Sequence, residues 1–160
     1  MNKINIEAVC VITNSKKKIN ENIIFKEDLN NKETVKKINL TNVPSGKHGF
    51  HIHTSGDLRD GCKSLCSHYN PYNKTHGNIN SKNRHVGDLG NIKPNKHGIV
   101  KKTKRDKLIK LRGKYSIIGR SVIIHEGEDD LGLGNNKESL KTGNAGKRIA
   151  CGVIGYSKNC

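Results

Sequence analysis

Alternation between apolar and polar positions opens the chain and recurs along it. Every second residue from Ile4 to Ile12 is apolar, which is the period-two pattern of a strand with one buried face. Shorter patterns of the same kind predict further strands at residues 23–26, 35–40, 48–53, 89–92, 98–100, 107–111, 116–125 and 149–156. About eight short strands are typical of an all-β sandwich or barrel. The 17 glycines against 3 prolines fit the tight turns that such a fold needs.

Two long stretches lack any periodicity. Residues 54–88 and 126–147 are both rich in glycine and polar side chains. A loop of this length inside a compact domain is usually functional or disordered. We therefore predict two long functional loops between the strands.

The length of the chain and its apolar runs bound the class of protein. A sequence of 160 residues fits one domain over residues 1–160. The longest apolar run is Ala8–Ile12, whereas a membrane span needs about 20 residues and a signal-peptide core about 7 to 15. We expect a cytoplasmic protein with no membrane segment and no export signal. For a viral source, this expectation covers the host cytoplasm or the virion.

The chain is strongly basic. It has 30 Lys and Arg against 14 Asp and Glu, a net charge of +16, which attracts anions from small ions to nucleic acids. Two Phe, four Tyr and no Trp argue against a stacking platform for single-stranded nucleic acid. Residues 101–114 hold eight basic residues and one acid. We interpret this run as a solvated strand-and-turn face, with weak polyanion binding as an alternative.

Six of the eight histidines and one aspartate are spaced as metal ligands are. His51 and His53 lie two apart on a predicted strand and so leave the same face, and His125 ends another strand on its outward side. Three nitrogens and a carboxylate fall within one loop, a set suited to tetrahedral zinc, while imidazole also suits copper. The loop set is His68, His76, His85 and Asp88.

The two remaining histidines are interpreted differently. His97 lies in a polar turn and is predicted to be solvated. His48 shares the inward face of Phe50 and Ile52, which favours a hydrogen-bonded core residue over a ligand.

Longer motifs resemble one family, the copper/zinc superoxide dismutases. Gly49–His53 resembles its G-F-H-x-H signature, and Gly143–Gly152 resembles its G-N-A-G-x-R-x-A-C-G signature. Further segments align in order between them: His68–Pro71, His76–Gly77, Arg84–Asn91, Ile118–Arg120 and His125–Glu126. The resemblance implies an all-β, eight-stranded Greek-key sandwich or barrel with two long functional loops, and superoxide dismutase activity.

The resemblance also implies one copper and one zinc ion per chain. The implied copper ligands are His51, His53, His68 and His125, and the implied zinc ligands are His68, His76, His85 and Asp88. His68 is thereby shared as a bridging imidazolate. Asp129 resembles the outer carboxylate that ties His51 to His76.

The implied reaction is 2 O₂⁻ + 2 H⁺ → O₂ + H₂O₂, in two half-reactions at one copper. In this family scheme the bond from His68 to copper breaks and that nitrogen takes a proton. Arg148 resembles the guanidinium that holds the anionic substrate, and Lys141 and Thr142 match positions on the channel rim. Lys137 and Gly127 stand where the family pattern has an acid and a lysine, so steering by those side chains is expected to differ.

The chain has an odd number of cysteines, five, so at most two pairs can form. The resemblance implies a disulfide between Cys62 and Cys151. Closing that loop contributes roughly 4 to 5 kcal/mol in the chain-entropy model. Cys10 lies on the buried face of the first predicted strand and is expected to be an inert thiol. Cys66 and Cys160 are additional, and Cys66 competes with Cys62 for Cys151. A zinc knuckle of Cys62, Cys66 and His68 is the rival interpretation.

Partners follow from the resemblance too. Superoxide is the implied substrate, a copper chaperone is a candidate partner, and a homodimer is the expected assembly. Ser55 replaces an apolar residue expected at the dimer surface, although Val9, Val11, Val153 and Tyr156 can supply an outer apolar patch. The alternative function is a basic nucleic-acid-binding or metal-binding protein on the same scaffold.

Overall fold

The computed structural model describes residues 5–158, so Ile4 and Cys160 lie outside the described residues. The strands are β1 (Asn5–Val11), β2 (Asn14–Ser15), β3 (Asn20–Asp28), β4 (Glu33–Thr41), β5 (His48–His53), β6 (Asp88–Ile92), β7 (Val100–Asp106), β8 (Ser121–His125) and β9 (Arg148–Tyr156). The long loops carry a short 3₁₀ helix (Gly61–Leu65) and one turn of helix, α1 (Ser139–Thr142).

The strands form a nearly closed, eight-stranded antiparallel barrel. The order is β6-β5-β8-β9-β1-β3-β4-β7, and the two-residue β2 pairs with β9. Strands distant in sequence, such as β5 and β8 or β4 and β7, are therefore neighbours, as in a Greek key. The predicted all-β fold with two long loops is confirmed.

Two predicted strands differ from the structure because apolar residues between β7 and β8 are buried in the core without forming a strand. We predicted a strand at residues 107–111, but β7 ends at Asp106, and β8 begins at Ser121 rather than at residue 116. Ile109, Leu111 and Ile117 are fully buried in the main core from irregular backbone. Their apolar spacing thus reflects a loop packed into the barrel interior, whereas β7 itself is mostly polar.

A smaller apolar cluster attaches the first loop to the outside of the barrel. Leu65 packs there against Ile123 and Cys151. The predicted disulfide is confirmed, since Cys62 is bonded to Cys151 across 89 residues of sequence. The rival zinc knuckle is excluded because its Cys62 sulfur is in that bond. Cys66 is exposed and unpaired.

Cys10 lies on the inward face of β1 and is fully buried. Burial raises the pKa of its thiol to about 12. The thiolate is the nucleophilic form of cysteine, so Cys10 is the inert thiol that the sequence predicted.

Backbone hydrogen bonds fasten the first loop to β5. Tyr69 N donates to Ile52 O (2.8 Å), Ile52 N to Gly87 O (2.9 Å) and Gly87 N to Tyr69 O (3.0 Å). A Cβ at position 87 would collide with Ile52 O, so this close approach requires glycine. These three hydrogen bonds hold His68, which precedes Tyr69, and His85, two residues before Gly87, beside the histidines of β5.

Among residues 5–158, no helix is long and apolar enough to cross a bilayer.

Candidate metal centre

Four histidines meet on the outer side of the barrel wall, under the long loops. His51 and His53 leave the same face of β5, and β8 ends with His125. His68 comes from the first loop and forms a short antiparallel bridge with His53. All four are buried, and one ring nitrogen of each lies within 4.8 Å of the others.

The nitrogen atoms that face one another in this four-histidine cluster have no hydrogen-bond partner. Within residues 5–158, five buried side-chain polar atoms are left without one. Four of them belong to the cluster: Nδ1 of His51 and Nε2 of His53, His68 and His125. An unpaired buried polar atom costs about 1–3 kcal/mol, and four converging lone pairs are satisfied by one cation. A set of four imidazoles suits copper.

The opposite ring nitrogens hold these histidines in place. His53 Nδ1 donates to Cys66 O (2.8 Å), and His125 Nδ1 donates to Gly146 O (2.9 Å). Burial holds the pKa of His51 and His53 well below the ordinary histidine value and lowers the pKa of His125 to about 4. The imidazoles are therefore neutral at physiological pH, which is the form that binds metal.

A second cluster gathers around one carboxylate oxygen. Asp88 Oδ1 lies 2.9 Å from His68 Nδ1, 2.8 Å from His76 Nδ1 and 3.1 Å from His85 Nδ1. Burial raises the pKa of Asp88, but the hydrogen bonds from the three histidines outweigh it and hold that pKa far below its usual range. Three imidazole nitrogens and an ionised carboxylate form a donor set that fits tetrahedral zinc.

The two clusters share His68. Its Nε2 is one of the unpartnered atoms of the first cluster, and its Nδ1 faces Asp88 in the second. One imidazole ring therefore presents a nitrogen to each site, which is the arrangement required to bridge two metal ions.

Asp129 ties the two clusters together from behind. Its Oδ2 accepts from His51 Nε2 (2.8 Å), and its Oδ1 accepts from His76 Nε2 (2.7 Å). Burial lowers the pKa of His76, but hydrogen bonds to Asp129 and Asp88 outweigh it and raise that pKa to about 9. A cation bound at the second cluster must therefore displace a proton from His76.

Gly143 makes room for this carboxylate. It ends α1 with a left-handed backbone (φ 69°), and a Cβ there would collide with Asp129 Oδ1. The glycine of the G-N-A-G motif is thus required both by its own backbone and by the hydrogen bonds behind the clusters.

An open channel of about 870 Å³ leads to the first cluster. Arg148 lies half-buried at its side, where Nη1 donates to Cys62 O (2.8 Å) and Nη2 to Cys66 O (2.5 Å). The disulfide joins Cys62 to the strand that carries Arg148, so it holds these carbonyls in place. Lys141 and Thr142 line the channel, whereas Lys137 and Gly127 are outside its lining.

The predictions for the two histidines outside the metal-ligand pattern, His48 and His97, are confirmed. His48 is buried, with its ring nitrogens 2.9 Å from His125 O and 2.9 Å from Pro44 O. His97 is exposed. Neither belongs to a cluster that could hold a metal ion among the described residues.

A buried ionic network next to the second cluster was missed from the sequence. Asp106 accepts from Arg84 Nη2 (2.8 Å) and lies 3.4 Å from Lys36 Nζ. Arg84 Nη1 donates to Asp88 O (2.9 Å), so the network supports the backbone of the second cluster. The sequence did carry a signal for this network: Lys36 lies two residues from Ile38 on β4, so the alternation of the strand places both side chains on the inward face.

Comparisons with known proteins agree with this geometry. A family model described as copper/zinc superoxide dismutase matches residues 19–154. The superoxide dismutase [Cu-Zn] of Podospora anserina is 49% identical over 153 residues, which cover 95% of this chain and 99% of that protein.

A viral relative and a solved structure extend the comparison. The superoxide dismutase [Cu-Zn] of Paramecium bursaria Chlorella virus 1 is 62% identical over 115 residues, 72% of this chain and 62% of the viral protein. The crystal structure of the clock protein EA4 superposes with a TM-score of 0.90 at 41% identity and covers 98% of both chains.

Proposed function

The chain belongs to the copper/zinc superoxide dismutase family, and from this membership we infer how its own residues divide the work of the reaction. The protein is an oxidoreductase that converts superoxide to dioxygen and hydrogen peroxide with copper and zinc. The observation that carries the assignment of residues is the set of four converging, unpartnered imidazole nitrogens beside a second cluster that shares one ring.

We propose that the four-histidine cluster holds copper and that the cluster around Asp88 holds zinc. When bound, copper supplies the one-electron redox chemistry, and zinc, which has none, supplies a fixed charge that orders the loop. The proposed copper ligands are His51, His53, His68 and His125; the proposed zinc ligands are His68, His76, His85 and Asp88. Asp129 orients His51 and His76 through its two hydrogen bonds.

We propose that Arg148 binds the superoxide anion at the inner end of the channel. Its guanidinium is fixed by loop carbonyls and lines the same channel as His53, His68 and His125. A fixed fork of donors suits a small anion. His68, which also lines the channel, is the proposed proton donor at Nε2 for the peroxide product. Lys141 and Thr142 form the rim through which the anion enters.

Metal stoichiometry coupled to a dismutase assay on one preparation tests this assignment. We expect one copper and one zinc per chain and activity well above that of free copper. Removing both metals with a chelator should abolish activity, and restoring them should recover it. A fully metallated protein no faster than free copper would contradict the enzymatic assignment.

We propose that the chain forms a homodimer through the outer face of β1 and β9. Cys10 and Ile154 form an inward pair, so Val9 and Val11 point outward, and Val11 is 51% exposed. Val153 lies half-buried on the adjacent strand. Tyr156, also expected in this patch, instead pairs with the inward-facing Ala8 and donates its hydroxyl to Leu111 O (3.2 Å). A few adjacent valines form the kind of apolar patch that a second copy covers.

Val11→Glu is therefore expected to convert the dimer to a monomer. The new charge would have to be buried without a partner, which is costly. Light scattering after size exclusion measures the mass. Leu133→Glu, which changes a 77% exposed residue outside this face, is the matched control. A wild-type monomer, or a Val11→Glu dimer of unchanged stability, contradicts this interface.

We also propose a cytoplasmic location. Cys66 is an exposed, unpaired thiol, and such thiols persist in reducing compartments but cross-link in oxidising ones. A relative in Drosophila melanogaster is named an extracellular superoxide dismutase, at 57% identity over 119 residues, so the family itself does not fix the compartment.

A further inference from the structure

A second cleft of about 900 Å³ opens between residues 72–84 of the first loop and residues 104–108 at the end of β7. Its charged lining is unbalanced, with six basic side chains and two acidic ones. The basic residues are Lys74, Lys82, Arg84, Lys104, Arg105 and Lys107. Lys74 is the residue that this basic cleft shares with the lining of the channel, so the two openings are otherwise separate.

The first of the two acids, Asp106, is buried at the floor of the cleft, where its carboxylate is already paired with cations of the protein. Its carboxylate is fully buried and contacts both Arg84 Nη2 (2.8 Å) and Lys36 Nζ (3.4 Å). It also accepts the backbone N–H groups of Leu108 (2.8 Å) and Ile109 (3.3 Å). Two cations thus share one anion, and the floor adds positive potential to the basic cleft instead of neutralising it.

The second acid, Glu33, also lies between two cations, Arg105 and Lys107. It lies 3.6 Å from Arg105 and 3.9 Å from Lys107, two cations that are 70% and 82% exposed at their side chains. Solvent-exposed pairs of this kind contribute little. One carboxylate on the rim therefore balances only part of the charge of its two partners.

The other lysines of the basic cleft have no acidic partner among residues 5–158. Lys74 is anchored by a hydrogen bond from Nζ to Lys82 O (2.7 Å) and pairs with no carboxylate. Lys104 is half-buried, and burial and the charge of Lys102 lower its pKa. Positive charges held together on a concave surface without counter-charges are stabilised by an anion of several charges.

We propose that the basic cleft binds the phosphate chain of a polyphosphate, either inorganic or carried by a nucleotide. Its volume lies in the range of small-molecule sites, roughly 300–1,000 Å³, and exceeds what one phosphate fills. The cations converge from two segments on one concavity rather than along a stripe. Tyr72 lines the same cleft, is 47% exposed and packs against Tyr115 with ring centroids 5.0 Å apart.

Binding there acts on the metal loop as well. Arg84 lines the basic cleft and donates to Asp88 O (2.9 Å). A ligand that bridges residues 72–84 of the first loop and residues 104–108 stabilises the loop that carries the second cluster. We therefore expect the phosphate chain to raise the thermal midpoint of the metallated enzyme, by an amount that grows with the logarithm of its concentration above the dissociation constant.

Isothermal titration calorimetry on the metallated enzyme tests the proposal, with sodium tripolyphosphate, ATP and adenosine at fixed ionic strength. We expect tripolyphosphate and ATP to bind and adenosine not to bind. Equal affinities for the first two assign recognition to the inorganic chain, and tighter binding of ATP assigns it to a nucleotide. The double variant Lys82→Ser/Lys104→Ser should weaken tripolyphosphate binding by about tenfold, because two cations near the ligand are lost.

The matched control is Lys93→Ser/Lys96→Ser, which removes the same charge from exposed positions outside the basic cleft. Its affinity for tripolyphosphate should change by less than about twofold. Equal weakening in both double variants would overturn the proposal, since attraction would then belong to the whole surface. So would the absence of binding by either phosphate compound, or binding of a DNA duplex that is tighter than tripolyphosphate and insensitive to the Lys82→Ser/Lys104→Ser change.

Discussion

His125→Ala is expected to abolish dismutase activity and to release copper while zinc stays bound. His125 contributes Nε2 to the four-histidine cluster and no atom to the cluster around Asp88. Loss of an outer hydrogen-bond partner alone weakens metal binding or activity by about 10–100-fold, so loss of a ligand should lower the rate by more than about 100-fold. Elemental analysis and a dismutase assay on the same sample measure both effects.

The reciprocal variant is His85→Ala. It removes a nitrogen from the cluster around Asp88 only, so zinc should be lost first. His97→Ala, at an exposed histidine outside both clusters, controls for the loss of an imidazole and should change neither metal. Loss of both metals together from His125→Ala would show that the proposed division of the ligands is wrong.

The residues of the metal centre were within reach of the sequence because their spacing is imposed by the backbone. Two histidines at positions 51 and 53 of a strand must share a face, and β5 occupies the predicted residues 48–53. The structure brings them to His68 and His125 through the register of β5 with β8 and the bridge from His53 to His68. What spacing cannot supply is which nitrogen of each ring faces inward, since this depends on the partners of the opposite nitrogen.

The strand boundaries failed where loops pack into the core. Ile109 and Leu111 alternate like strand residues, yet they are buried from irregular backbone that follows β7. A period-two pattern shows that alternate side chains are buried, but it does not show that the backbone pairs with a neighbouring strand. The same reasoning overlooked Lys36, because a lysine on an inward face is rare unless it is paired, and its partner Asp106 lies 70 residues away in sequence.

Arg148→Ala is expected to slow the reaction by about tenfold or more without releasing metal. Hydrogen bonds to a charged group contribute roughly 1.5–3 kcal/mol, and Arg148 is the cation held beside His53, His68 and His125 in the channel. Because its guanidinium also binds the carbonyls of Cys62 and Cys66, metal content is measured with the rate. Arg148→Lys keeps the charge without the fork and should lose less activity than Arg148→Ala.

A triple variant separates local from global attraction. Lys101, Lys102 and Lys104 lie on β7 and do not line the channel, and charges farther than about 8 Å are largely screened at physiological salt. Changing all three to Ser should leave the dismutase rate nearly unchanged while weakening attraction to polyanions. The wild-type rate should fall as ionic strength rises, and this dependence should shrink more in Arg148→Ala than in the triple variant. If the triple variant lost as much rate as Arg148→Ala, superoxide would be steered by the whole field of the +16 chain, and the local site would not be its main source.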